Sequence, residues 1–228
     1  MQKKYRLYNL ILFAVCLGFY LFFAFYDKVI ICVDSPSYID MYLSREPFYP
    51  TFLAINRMIF GIDTYLMVVV IEQSILAAVA AYAVGVFVGK YFVCNTNFGI
   101  QDGTSSKKDG NLATKTDGAR AIKYIFMTYV SAFVCIATSL LCRFIASRGN
   151  MYSNCIMTEG ICISLFLIFS VYILKYVFDS KLRYLVGATV VSLIMISSRK
   201  QMYLTLILLV FMELNKEVNI ILVKAYLN

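Results

Sequence analysis

The 228 residues are 61% hydrophobic and only 15% charged, with a mean hydropathy of +0.76, against roughly 45–50% apolar and about 25% charged residues in soluble domains. A water-soluble fold is excluded, and no stretch remains that could form a separate soluble core. The net charge of +8 comes from Lys and Arg placed between apolar runs rather than along one face, which fits membrane topology better than nucleic-acid binding.

In chain order, the apolar runs predict membrane spans at about 8–26, 64–88, 122–144, 157–178, 184–197 and 201–213, the last continuing through 218–227. A helix needs about 20 residues to cross the hydrocarbon, so the first four qualify directly and the fifth crosses only where neighbours shield it or the bilayer thins. The expected fold is all-α: a polytopic transmembrane bundle of about six spans, one domain over residues 1–228, with short surface helices in the first outer loop. The opening run, Tyr8 to Tyr26, is longer than the roughly 7–15-residue apolar core of a signal peptide and no small-x-small site follows it, so it is expected to stay attached.

Orientation follows from the loops. Lys3, Lys4 and Arg6, then Lys90, Lys107, Lys108, Lys115, Arg120 and Lys123, then Lys175, Lys181 and Arg183 mark cytoplasmic segments and place the N-terminus in the cytoplasm. The stretch 95–120, rich in Gly, Ser, Thr, Asp and Lys, reads as a flexible cytoplasmic linker. The opposite face holds the outer loop 27–63, a turn near 145–156 and the junction Ser197-Ser198-Arg199-Lys200. All three prolines, Pro36, Pro47 and Pro50, fall in the first outer loop, breaking it into what should be two small juxtamembrane helices along the surface. Seven cysteines without a CxxC pair, and no histidine, read as small buried hydrophobes rather than a zinc or redox site.

That outer loop combines acid, base, aromatics and proline: Val33-Asp34-Ser35-Pro36-Ser37-Tyr38-Ile39-Asp40, then Arg45-Glu46-Pro47-Phe48-Tyr49-Pro50. Together with Val70-Ile71-Glu72-Gln73-Ser74-Ile75-Leu76 in the second span and Met157-Thr158-Glu159-Gly160-Ile161 opening the fourth, it resembles the integral membrane glycosyltransferases of the C-type superfamily, which use polyprenyl-phosphate sugars. The resemblance covers roughly residues 5–212 and rests most on the first-loop cluster. It implies a cell-envelope enzyme of the bacterial cytoplasmic membrane, here in truncated or minimal form, since that family usually has more helices and often a soluble C-terminal part.

Such a transfer needs a carboxylate to accept the acceptor's proton and cations to stabilise the departing phosphate. Asp34, just outside the bilayer and backed by apolar helices, is the candidate base, although Asp-Ser-Pro-Ser also suits a helix cap with proline in the first turn. Glu159 reads either as a solvated acid at a helix N-terminus or as a second catalytic carboxylate orienting the acceptor or a metal. Arg199 and Lys200 read either as snorkelling cations or as donor-phosphate ligands. Arg45 and Glu46 are expected to pair with each other or with backbone and shape the loop, while Tyr38, Tyr42 and Tyr49 pack the loop or stack on a sugar or isoprenoid. Glu72, with Gln73 beside it, is a buried polar site inside a span, where an aspartate-like charge costs about 2.5–3.5 kcal/mol.

No cofactor is required; a divalent metal would need ligands from separate loops, because Asp34 and Asp40 are too far apart in sequence for a close pair. The expected partners are a polyprenyl-phosphate-linked sugar and membrane lipid, with no nucleic acid and an unspecified acceptor. Two rival readings are a non-catalytic membrane subunit or fragment, and a transporter or flippase component with Glu72 as its coupling carboxylate.

Overall fold

The computed structural model describes residues 2–95, 110–145 and 149–213. Its helices are α1 (Gln2–Asp27), α2 (Ser35–Ile39), α3 (Phe48–Phe60), α4 (Tyr65–Asn95), α5 (Gly110–Ile145), α6 (Thr158–Asp179) and α7 (Leu182–Ser198), followed by a 3-10 turn at Lys200–Met202 and a helical segment over 203–213. Four of these, α1, α4, α5 and α6, carry stretches long and apolar enough to cross a membrane. With 17 residues, α7 reaches about 26 Å at 1.5 Å per residue, short of the roughly 30 Å of hydrocarbon. The expected continuation through 218–227 lies outside the described residues.

One boundary differs from expectation. Residues 110–120 belong to α5 although their composition suggested linker, and 96–109 lie outside the described residues. Lack of apolar side chains removes a reason to bury a segment but not its ability to be helical: Ala, Lys and Arg propagate a helix already nucleated in the span beyond. The helices fall into two compact units, Met1–Ile30 with Met67–Ile156 and Ile31–Leu66 with Met157–Asn228.

In the first unit, α1 buries Leu12, Cys16, Tyr20 and Ala24 at four-residue spacing and exposes Leu7, Leu10, Val15 and Phe22, a narrow packing stripe on a helix whose remaining surface suits lipid. Across from it, α4 presents Ala77, Ala81, Gly85 and Gly89, again four apart. Small residues at this spacing let helix backbones approach where no hydrophobic effect drives them together. A Cβ on Gly85 would lie 2.8 Å from the Thr128 carbonyl oxygen and 3.0 Å from Ala132 on α5. Hydrogen bonds set the register: Tyr124 Oη donates to Asn9 Oδ1 at 3.1 Å, the Tyr20 and Ser139 hydroxyls are 2.8 Å apart, and Arg143 Nη2 reaches Asp27 Oδ1 at 2.9 Å. These pairs are 115, 119 and 116 residues apart, so α1 and α5 run parallel. Gly85, ten residues from the end of α4, lies beside Leu12 in the first half of α1, so α4 runs antiparallel to both.

In the second unit, α6 turns at Ser180, which has φ +51°, into an antiparallel α7. Gly187 sits against the Tyr172 ring, leaving no room for a Cβ without displacing it. Farther along α7, the buried Ser192 and Thr205 hydroxyls lie 2.7 Å apart, and Tyr176 Oη donates to Glu213 Oε1 at 2.6 Å. The segment 203–213 therefore runs back beside α6. Helix α3 packs on α2 and on α7.

Candidate functional site

Of the charges singled out in sequence, six meet in the second unit as three ion pairs. Helix α2 begins as expected after Asp34, with Pro36 in its first turn, but the Asp34 side chain makes no capping bond. It turns instead to Arg45, whose Nη2 donates to Asp34 Oδ1 at 2.8 Å and whose Nε donates to Ser37 Oγ at 2.7 Å. The guanidinium lies over the Tyr38 ring, 4.7 Å from its centroid, and Tyr38 meets Tyr49 edge-on at 5.3 Å. Partial desolvation works to lower the Arg45 pKa, but the bond to Asp34 and the nearby Tyr38, Asp34 and Glu46 carry it above its usual value. The guanidinium thus stays charged in the loop.

Glu46, next along the chain, pairs with Lys200 at 3.8 Å. Arg199, the neighbour of Lys200, places Nη1 2.5 Å from Glu159 Oε1 and donates through Nε to Gln201 Oε1 at 3.1 Å. Thr158 Oγ1 donates to the other Glu159 oxygen at 3.3 Å. Chain adjacency of Arg45 with Glu46, and of Arg199 with Lys200, links the three pairs into one series from Asp34 to Glu159. Two helical starts lie within it, the first turn of α6 bearing Glu159 and the turn entering 203–213, and both direct backbone N–H groups toward this end.

Several expectations need correction here. Arg45 and Glu46 do not pair with each other: Arg45 takes Asp34 within the same loop and Glu46 takes Lys200 beyond α7. Tyr38 and Tyr49 are buried, at 5% and 0% exposure, and so pack the loop rather than offering open stacking platforms; Tyr42, 55% exposed, is the open one. The Asp34 side chain is half exposed, so its removal from water is only partial. Gln73 is buried as expected, whereas Glu72 on α4 is only partly so.

An apolar cavity of about 310 Å³ lies on α6, lined by Cys162, Ile163, Phe166 and Leu167, with Met202 from the turn that carries Lys200. It begins one helical turn from Glu159, and none of the six charged residues lines it. Among the described residues, no three acidic or thiol side chains converge as a metal-ligand group.

Sequence reasoning missed Ser37, the second acceptor of Arg45, and a separate cluster in the first unit. There Asp27, 3% exposed, holds Arg143 and accepts the Met151 N–H at 3.2 Å, while Arg143 Nε donates to the Gly149 carbonyl at 2.7 Å. Asn154 Nδ2 donates to the Phe23 and Lys28 carbonyls at 2.9 and 3.0 Å, closing the end of α1. The available signal was that Asp27 and Arg143 each terminate an apolar run on the same expected face. No protein-family model matches the chain, and searches of curated proteins and of solved structures likewise find no match.

Proposed function

We propose that the chain is a membrane glycosyltransferase that moves a sugar from a polyprenyl-phosphate donor to an acceptor at the outer face of a bacterial cytoplasmic membrane. In this reading the helices make six crossings and the N-terminus is cytoplasmic. The observation that carries the proposal is the linked series of Asp34–Arg45, Glu46–Lys200 and Arg199–Glu159 pairs, with an apolar cavity one turn away. A phosphate tethered to an isoprenoid calls for cations beside an apolar groove, and a hydroxyl nucleophile calls for a carboxylate near both.

The acceptor oxygen forms a bond to the anomeric carbon as the bond from that carbon to the phosphate oxygen breaks, inverting the centre. Its proton passes to Asp34 Oδ2, since Oδ1 is held by Arg45. The departing polyprenyl phosphate gains its charge beside Arg199 and Lys200, which exchange their carboxylate partners for phosphate oxygens. Glu159, released from Arg199, orients the acceptor. No metal is needed for this balance; one bound there would add charge neutralisation at the phosphate.

The second reading, a non-catalytic subunit, is favoured by one observation: each of the three cations already has a carboxylate partner. The two separate in one experiment on reconstituted protein with a radiolabelled polyprenyl-phosphate sugar. Asp34→Asn should lower transfer by about 10²–10⁴-fold with donor binding retained, and Arg199→Ala should weaken donor binding. Absence of donor binding by the unaltered chain, with the helices intact by circular dichroism, would leave the subunit reading in its place.

A further inference from the structure

Helix α3 has two unlike faces. Tyr49, Leu53 and Asn56 are buried, and they lie on the side packed against the unit. The other side carries Ile55, Met58 and Ile59, continued by Ile62, at 52%, 89%, 65% and 63% exposure. The spacing of three and four places Ile55, Met58 and Ile59 on one helical stripe, and Ile62 follows just past the helix end at Gly61. Four large apolar side chains so exposed form a patch that water-facing surfaces rarely keep. The exposed Arg57 is two residues from both Ile55 and Ile59, and so on the side of the helix away from them.

We infer that this stripe of α3 is seated in one leaflet of the bilayer, its apolar side chains in the acyl region.

Two features of the chain select lipid as the occupant. First, α1 and α4 are antiparallel in the first unit, so the segment 28–64 joining them leaves and re-enters on one membrane face. At 13 residues, α3 is about 20 Å long, too short to cross roughly 30 Å of hydrocarbon and return, so it stays at that face. Second, α3 packs on α7, whose own outward stripe of Val186, Val190 and Leu193 is 51–55% exposed and of the same aliphatic character. The stripe has no Tyr or Trp of the kind that anchors protein interfaces.

The consequence is positional. Glu46, two residues before α3, is tied to Lys200, and Arg45 holds Asp34. A leaflet-seated α3 therefore fixes the height of that loop relative to the headgroups. This inference does not depend on the transferase reading.

The chain contains no Trp, so Met58→Trp introduces a single reporter at a position that is 89% exposed in the structure. The full chain is reconstituted in vesicles of phosphatidylcholine and phosphatidylglycerol, with bromines at defined acyl depths. Blue-shifted emission, quenched several-fold more by shallow bromines than by aqueous acrylamide and unchanged as the protein-to-lipid ratio varies, is the expected result. Water-like emission quenched mainly by acrylamide would overturn the inference. So would blue-shifted emission insensitive to bromines and dependent on protein-to-lipid ratio, which would mean a second copy covers the stripe.

Discussion

Two acid–Arg pairs of nearly equal geometry behave differently because of where they sit. Arg143 and Asp27 lie 2.9 Å apart at 15% and 3% exposure, whereas Arg45 and Asp34 lie 2.8 Å apart at 29% and 51%. The first pair is enclosed by the Phe23 ring, 4.7 Å from the guanidinium, the Gly149 carbonyl and the Met151 N–H. Both Asp27 oxygens and two of the Arg143 nitrogens have fixed partners there, and removing Arg143 would strand a buried carboxylate. The second pair keeps water on one side, and its carboxylate retains an oxygen for another donor. Burial makes the one a lock joining the ends of α1 and α5; exposure leaves the other free to exchange partners. Distance alone would not have separated them.

The largest expected effect tests the lock. Arg143→Met should cost about 3–5 kcal/mol by leaving Asp27 buried and uncompensated, read as a lower midpoint of thermal unfolding in detergent. The double change with Asp27→Leu should recover much of that loss. A single variant as stable as the parent would show that water reaches Asp27.

A smaller effect should distinguish the packed from the open face within the first unit. Gly85→Ala forces a methyl to within 2.8 Å of the Thr128 carbonyl and should destabilise by about 1–3 kcal/mol. Gly18→Ala on α1 meets nothing within 4 Å and should be neutral, or stabilising by up to about 1 kcal/mol through helix propensity. Equal responses would mean that α4 and α5 are not in the close contact described.

The smallest effect concerns the exposed pairs. Glu46→Gln removes a carboxylate 3.8 Å from a Lys200 that is 74% exposed, and should change stability by no more than about 1 kcal/mol, vanishing at high salt. A loss as large as that of Arg143→Met would make this pair structural too and erase the contrast between the two regions.

Much of the helical layout was legible because hydrophobic runs are a one-dimensional property: α1, α4, α5 and α6 fall where the apolar segments begin and end, apart from the polar extension 110–120. The two short helices of the first loop follow from Pro36, Pro47 and Pro50, which dictate breaks locally. The charges worth watching, Asp34, Arg45, Glu46, Glu159, Arg199 and Lys200, could be named from type and position alone. Their partners could not. Arg45 had Glu46 beside it in sequence and took Asp34; Glu159 found Arg199 forty residues away. The Asp27–Arg143 lock spans 116 residues and left no local trace beyond a charge at each helix end. Pairing, like burial of Tyr38 and Tyr49, depends on which helix faces meet. Sequence by itself determined the helices and the inventory of charges, because both follow from local composition. Only the tertiary structure decided partners and exposure, because those depend on distances through space that no local pattern encodes.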